Sequence, residues 1–182
     1  MLAAMTRGAD IGRTDTMTKT AFKGTPVELA GTLPRVGTPA PAFSLVAGDL
    51  GAFTLGEARG HWAVLNIFPS IDTGVCAASV RRFNAEAAAR PQALVLCISA
   101  DLPFAQGRFC AAEGLERVKT LSVFRSPGFG RDYGVLMTSS PLAGLLARAV
   151  VVVDPAGVVR HVQLVPEITQ EPDYVAALAV LP

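Results

Sequence analysis

One segment of the chain reads Ala63-Val-Leu-Asn-Ile-Phe-Pro-Ser-Ile-Asp-Thr-Gly-Val-Cys76. Its first six residues are largely apolar and typical of a buried strand, and proline, serine and glycine then interrupt the run. A helix is predicted to begin near Gly74, with Asp72 or Thr73 able to cap it. Cys76 then lies at a helix N-terminus, where unpaired N–H groups and the helix dipole lower the pKa of a thiol from about 8.5. We therefore expect a reactive thiolate.

The composition indicates one globular domain. The chain has 182 residues, of which 51% are hydrophobic and 17% charged, and 16 Lys and Arg are scattered against 15 Asp and Glu. The basic residues therefore form no cluster that would bind nucleic acid or an anionic membrane. No apolar run reaches the roughly 20 residues that span a bilayer. Three cysteines, an odd number, argue against a disulfide-stapled secreted protein. We expect a cytoplasmic protein.

The first 18 residues are polar and lack periodicity, which predicts either a disordered arm or a start assigned too far upstream. Met1, Met5 and Met17 are the candidate starts. Residues 19–182 then form the domain. Its first element is predicted to be a β-hairpin within Thr20–Leu29, turning at Gly24-Thr25-Pro26.

The remaining pattern predicts an α/β fold with a parallel sheet, because strand candidates alternate with helical stretches. Two further strands, joined by the turn Asp154-Pro-Ala-Gly157, follow as an antiparallel hairpin before a last helix. A βαβ half followed by a ββα half is the thioredoxin-like layout, although the order alone leaves other α/β folds open. The predicted strands are Ala63–Phe68, Ala93–Ser99, Leu121–Phe124, Ala149–Val153 and Val158–Val165, and the last helix spans about Asp173–Leu181.

The helix after Gly74 carries an apolar stripe formed by Cys76, Val80, Phe83 and Ala87. This spacing turns the sulfur toward the sheet. The simplest alternative is that Cys76 is only a small core residue, as most free cysteines are.

The spacing Pro69-x-x-x-Thr73-x-x-Cys76 favours chemistry over packing, because each residue has a task around a peroxide. Pro69 would shield the thiolate from water. The Thr73 hydroxyl would hydrogen-bond the sulfur and the substrate oxygen, and Cys76 would be the nucleophile.

With these residues the chain resembles the peroxiredoxins, and within them the bacterial thiol peroxidases, or atypical two-cysteine peroxiredoxins. The resemblance covers roughly Thr20–Leu181. Its matching segments are Val64–Cys76, Leu96–Gln106, Arg148–Val153 and Glu171–Tyr174.

The resemblance implies that Cys110 is the resolving cysteine, which attacks the sulfenic acid on Cys76 and forms an intramolecular disulfide. From the sequence alone, core packing is an equally good reading of Cys110. Its helix is predicted from near Pro103 to Gly114, so joining the two sulfurs requires local unwinding, which Gly107 would ease. Cys97 lies in a continuously apolar strand and is expected to be structural and inert.

Arg148 precedes the strand Ala149–Val153, where an arginine is commonly a solvated strand end. The resemblance implies instead that it approaches the reactive sulfur, lowers the pKa of the thiol and orients the peroxide. Arg81 and Arg82 are expected to be outer-face charges of the helix.

Other functions fit the sequence less well. Cys76 and Arg82 have the Cys-x5-Arg spacing of cysteine phosphatases, but the residues between them lack glycine and look helical. A cysteine hydrolase needs a histidine base, and only His61, in a loop, and His161, on a predicted strand, exist. Neither histidine has zinc-ligand spacing with the cysteines. A non-catalytic redox switch at Cys76 stays open, and catalytic turnover would distinguish it.

The resemblance also implies the partners. A hydroperoxide is the substrate, thioredoxin is the reductant, no metal or organic cofactor is needed, and the protein is a homodimer with Leu142–Leu146 near the interface or substrate. The apolar residues Phe43, Pro141, Leu142 and Leu145 would suit alkyl hydroperoxides, or would simply pack.

Overall fold

The computed structural model of the protein describes residues 19–182, and the arm or upstream start predicted at 1–18 lies outside them. Within the described part of the chain, no helix is long and apolar enough to cross a membrane.

The elements follow one another as a series of short strands interrupted by four helices. The strands are β1 (Thr20–Phe22), β2 (Thr25–Val27), β3 (Leu29–Ala30), β4 (Ser44–Ala47), β5 (Ala52–Thr54), β6 (Trp62–Ile67), β7 (Ala93–Ser99), β8 (Val118–Ser122), β9 (Leu136–Met137), β10 (Ala149–Val153) and β11 (Val159–Leu164). The helices are α1 (Gly74–Ala88), α2 (Pro103–Glu113), α3 (Phe129–Asp132) and α4 (Tyr174–Leu178), and a 3-10 helix, Leu55–Ala58, follows β5.

A seven-stranded sheet in the order β11-β10-β6-β7-β8-β4-β5 forms the centre of the fold. Its strands β6, β7 and β8 are parallel, whereas β10 and β11 form an antiparallel hairpin beside β6. Because α1 and α2 each connect neighbouring parallel strands in the same direction, both cross over on the same face of the sheet. The predicted thioredoxin-like order, a βαβ half followed by a ββα half, is confirmed.

Side chains of the central strands alternate between two cores, one on each face of the sheet. Leu65 of β6 and Val151 of β10 belong to the larger core, while Val64 and Val150 pack on the face that α1 and α4 cover. By the same alternation Arg148, two residues before Val150, lies on the α1 face. The fold thus places an arginine and the start of α1 on one side of the sheet.

Three predicted boundaries were wrong. The strand expected at Leu121–Phe124 is β8, Val118–Ser122. Its start was not predicted because two polar residues, Lys119 and Thr120, interrupt the apolar run. The last helix, expected over about Asp173–Leu181, is only Tyr174–Leu178. The hairpin at the start of the domain is present, but it turns at Lys23-Gly24, where both residues have positive φ (51° and 78°), as a type I′ turn requires.

Strands β4 and β5 were not predicted from the sequence. These strands are four and three residues long, and they pair antiparallel at the edge of the sheet beside β8. Such short strands carry too few residues for an alternation pattern to stand out.

Candidate active site

A short turn carries the chain from the end of β6 into α1. Pro69 is buried in this turn, and Thr73 closes it with an extended backbone, φ −109° and ψ 144°, as the N-cap of α1. Cys76 is therefore the third residue of the helix, among the N–H groups that have no intrahelical partner. The predicted position of this cysteine is confirmed.

The Cys76 side chain is fully buried and lies on the sheet-facing stripe of α1. Val80 and Phe83 of the same stripe are also fully buried, and Ala87 is nearly so. Val64, Val95 and Val150 of the sheet belong to the same cluster. The sulfur is thus held in a largely apolar setting, as the helical spacing predicted.

Arg148 makes the decisive polar contact with Cys76. Its Nη2 donates to Cys76 Sγ at 3.3 Å, and its Nε donates to the carbonyl oxygen of Ile168 at 3.0 Å. Only 2% of Arg148 is exposed, and its Nη1 has no partner among the described residues. The positive charge of the guanidinium therefore lies beside the buried sulfur, and its unpaired N–H group can bind an oxygen acceptor.

Thr73 and Pro69 lie within a few residues of the sulfur, but the Thr73 side chain does not cap the helix as predicted. Its hydroxyl donates to the carbonyl oxygen of Ser70 at 3.1 Å, back into the turn. Asp72 is not the cap either, since the backbone of Thr73 fills that position. The Thr73 oxygen keeps its lone pairs for accepting a further hydrogen bond.

Two buried polar side chains, Asn66 and Ser79, connect the first turn of α1 to the sheet. Ser79 Oγ donates to the carbonyl oxygen of Cys76 at 2.8 Å, and Asn66 Nδ2 of β6 donates to Ser79 Oγ at 3.2 Å. Both side chains are fully buried. They tie the residue that carries the sulfur to the central sheet.

Cys110 lies in α2, as predicted, and is half-buried. Burial raises the pKa of its thiol. All three cysteines, which lie within residues 19–182, are free thiols, so the structure is that of the reduced protein. In this reduced state, Cys76 belongs to α1 and Cys110 belongs to α2.

Cys97 is fully buried in β7, and burial raises the pKa of its thiol to about 12. Asn66 Nδ2 approaches its sulfur at 3.7 Å. A buried thiol that resists ionisation is a poor nucleophile. These features agree with a structural role for Cys97.

Arg81 is more than an outer-face charge. Its guanidinium donates two hydrogen bonds of 2.8 Å to the Glu113 carboxylate and so joins α1 to α2, and this contact lowers the pKa of Glu113. Sequence spacing within one helix could not have identified a partner on another helix. Arg82 is exposed, as expected, and pairs with Glu86 one turn away at 3.0 Å.

The phosphatase alternative has no structural support. The residues from Cys76 to Arg82 all belong to α1, and the N–H groups from Ala77 onward donate within the helix, so this segment forms no phosphate-cradling loop. His161 lies on β11 as predicted. Within residues 19–182, no group of three or more His, Cys, Asp or Glu side chains is arranged to hold a metal ion.

The apolar residues proposed for substrate contact have different environments. Phe43 is buried and packs edge-on against Phe129 at 5.8 Å, so it belongs to the core. Leu142 and Leu145 are partly buried against the same core, whereas Pro141 is exposed. Packing in the core thus accounts for Phe43, Leu142 and Leu145.

The polar residues that hold the turn before α1 were not predicted from the sequence. Asp101 accepts hydrogen bonds from Ser70 Oγ and from the Ile71 N–H, both at 2.7 Å. The available clue was position, because Asp101 follows β7 and Ser70 follows β6, and neighbouring parallel strands end at the same edge of a sheet.

The chain is similar to known proteins along most of its length. The Redoxin family pattern matches residues 35–178. The thiol peroxidase of Mycobacterium tuberculosis is 55% identical over 165 residues, which cover 91% of this chain and 99% of that protein. The thiol peroxidase of Corynebacterium glutamicum has the same identity and coverage. The crystal structure of a peroxiredoxin-like protein from Aquifex aeolicus is 42% identical, with a TM-score of 0.81 over 86% of this chain and 91% of that one.

Proposed function

Because the chain belongs to the Redoxin family, as a peroxiredoxin-type thiol peroxidase, we propose that it reduces hydrogen peroxide and organic hydroperoxides through a sulfenic acid on Cys76. The observation that carries this proposal is the 3.3 Å contact between Arg148 Nη2 and Cys76 Sγ. Both groups are buried, so their interaction is weakly screened by water.

In the first step, the Cys76 thiolate attacks the terminal oxygen of the hydroperoxide, and the O–O bond breaks. The sulfur loses two electrons and becomes a sulfenic acid, while the leaving oxygen takes a proton and departs as water or alcohol. The free Nη1 of Arg148 is available to hold a peroxide oxygen while charge shifts onto it.

Thr73 and Pro69 complete the substrate site in this proposal. While the Thr73 hydroxyl donates to Ser70, its oxygen can accept a hydrogen bond from the peroxide O–H. Pro69 is buried and has no N–H, so it excludes water without competing for the substrate. The two residues orient the peroxide against the sulfur.

In the second step, the Cys110 sulfur attacks the sulfenic sulfur of Cys76, a disulfide forms and water leaves. This step requires α2 to unwind, since Cys110 belongs to a different helix from Cys76. The small number of buried residues in α2, namely Pro103 and Gln106, supports this requirement. Elements with few buried contacts open at low free-energy cost.

A dithiol protein then reduces the disulfide, and we assign this role to thioredoxin. Exchange with an external dithiol returns both cysteines to thiols and closes the cycle. Three free cysteines suit a reducing cytoplasm, which is the location we propose together with a homodimeric state.

A peptide map of the reduced protein, made after one equivalent of cumene hydroperoxide, tests this function. We expect Cys76 joined to Cys110, with Cys97 free. In the Cys110→Ser variant, a sulfenic acid should persist on Cys76 and be trapped by dimedone, whereas the matched Cys97→Ser variant should crosslink like the parent.

Thiols that stay unreacted would disprove the peroxidase chemistry. A crosslink through Cys97 would instead reassign the resolving cysteine. Thioredoxin-coupled NADPH oxidation then separates the enzyme from a redox switch, since an enzyme turns over many equivalents of peroxide and a switch about one.

A further inference from the structure

The carboxylate of Asp101 is shared between the turn that precedes Cys76 and the strand that leads to α2. Its Oδ1 accepts from Ser70 Oγ at 2.7 Å, and its Oδ2 accepts from the Ile71 N–H at 2.7 Å. Oδ2 also accepts from Ser99 Oγ at 2.7 Å. Three short hydrogen bonds to one charged group are a strong local restraint.

On one side, this restraint reaches the substrate site. Ser70 Oγ also accepts from the Asp72 N–H at 3.3 Å, and the Ser70 carbonyl accepts from both the hydroxyl and the N–H of Thr73. The position of Ser70 therefore sets the direction of the Thr73 hydroxyl and the start of α1.

On the other side, the restraint reaches the helix that carries Cys110. Gln106 Nε2 of α2 donates to Ser99 Oγ at 3.0 Å and to the carbonyl oxygen of Leu121 at 3.1 Å. Ser99 and Gln106 are both fully buried, and Gln106 Oε1 has no partner among the described residues. Gln106 lies one turn before Cys110, so the same helix face holds both.

We propose that Asp101 is a positioning residue that couples the two steps of the reaction, and this proposal rests on the proposed function. While α2 is folded, the chain Gln106–Ser99–Asp101 holds the 70–73 turn in the geometry for peroxide attack. When α2 unwinds, Gln106 leaves Ser99, and Asp101 loses a fixed neighbour. The turn then loosens as Cys110 becomes free to reach Cys76.

The test measures the two steps separately by rapid quench with dimedone and mass spectrometry. Asp101→Asn and Ser70→Ala should slow oxidation of Cys76 by about tenfold, because a misplaced turn misaligns the peroxide. The same variants should speed disulfide formation about threefold, because the turn is less tightly held. Gln106→Met, which removes the donor on the helix side, should speed disulfide formation about threefold. It should slow oxidation about threefold, less than Asp101→Asn does, because Ser99 still donates to Asp101.

Coupling is tested by the Asp101→Asn/Gln106→Met double variant. If both residues act through Ser99, the double variant should gain about threefold in disulfide formation, not the product of the single gains. Independent, multiplicative gains would overturn the proposal, as would oxidation rates within about twofold of the parent in both Asp101→Asn and Ser70→Ala.

Two controls distinguish positioning from general loss of stability. Asp49→Asn removes a carboxylate from the loop after β4, and Val159→Ala destabilises the core at β11. Both controls should keep the two rate constants of the parent, although Val159→Ala unfolds more easily. If the parent itself does not react with peroxide, the proposed function fails. If the parent reacts and the Asp101 and Ser70 variants match it, only the coupling fails.

Discussion

Arg148 Nη2 and Cys76 Sγ lie 3.3 Å apart although 72 residues separate them in the chain. The sheet brings them together, because β10, which follows Arg148, pairs with β6, which leads into α1. Arg148 lies on the face of the sheet that α1 covers. The guanidinium is itself held by the Ile168 carbonyl, so its position does not depend on the thiolate alone. A fixed cation beside the sulfur needs little reorganisation when charge moves during the reaction.

Replacing Arg148 should cost most of the peroxidase activity. Arg148→Met removes the charge and all donors, and we expect kcat/KM for hydroperoxide to fall about 100-fold or more. Arg148→Lys keeps a charge but loses the donor to Ile168 and the planar geometry, so it should rescue only a small part. Stopped-flow oxidation of the reduced variants measures both effects.

The matched control is Arg82→Lys, which changes an exposed arginine on α1 and should leave kcat/KM unchanged. Parent-like activity in Arg148→Met would contradict the assigned role of this arginine.

Gly107→Ala should slow disulfide formation by stabilising α2. An added Cβ at this helical position meets no atom within 4 Å, so the substitution introduces no clash. The gain in helix stability is about 1 kcal/mol, which corresponds to about fivefold slower unwinding. The measurement is the rate at which the Cys76 sulfenic acid converts to disulfide after a peroxide pulse.

Ala112→Gly, at an exposed position of the same helix, should have the opposite effect. If the Gly107→Ala variant forms the disulfide as fast as the parent, the helix glycine has no kinetic role.

Cys97 should resist alkylation as long as the protein is folded. Burial raises the pKa of its thiol to about 12, whereas Cys110 is half-buried and the pKa of its thiol is raised less strongly. At about pH 8, iodoacetamide should therefore modify Cys97 at least 100-fold more slowly than Cys110. Mass spectrometry of timed samples gives the two rates, and in denaturant the difference should vanish. Rapid labelling of Cys97 in the native protein would show that β7 opens readily.

Glu167 should make the stability of the N-terminal hairpin depend on pH. Its carboxylate accepts from the N–H groups of Gly24, Thr169 and Lys23, and these hydrogen bonds hold its pKa at about 2. In the unfolded chain a Glu has a pKa of about 4.3. The unfolded state therefore binds more protons between these values, and this part of the stability is present above about pH 4.3 and lost as the pH falls to about 2.

Denaturant unfolding of Glu167→Gln at a series of pH values checks this prediction. The difference in free energy of unfolding between the parent and the variant should be largest near neutral pH and shrink toward pH 2. Glu116→Gln, at an exposed position, serves as the control. A difference that stays constant with pH would mean that the carboxylate contributes no acid-dependent stability.

Much of the fold could be predicted because its signals are local. Apolar runs bounded by turn residues identified β6, β7 and the β10–β11 hairpin, and the spacing of Cys76, Val80 and Phe83 correctly predicted the buried face of α1. The short strands β4 and β5 were not predicted, because three or four residues are too few to show the two-residue alternation of a strand.

The candidate site also has one part that could be predicted from the sequence and one part that could not. The amino acids from Pro69 to Cys76 are contiguous, so the position of the cysteine at a helix start could be inferred from the order of residues alone. The resemblance to a family pointed to Arg148, but its burial and its bond to Ile168 had no local sign.

Sequence alone was sufficient for the order of β6, α1, β7, α2 and the β10–β11 hairpin, for the buried face of α1, and for the position of a thiol at a helix N-terminus. These properties arise from backbone preferences and side-chain periodicity within about fifteen residues. The bond between Arg148 and Ile168, the Asp101 network and the Arg81–Glu113 link came only from the folded molecule. Each joins side chains on different elements, and such partners are selected by the packing of the sheet and not by neighbouring residues in the chain.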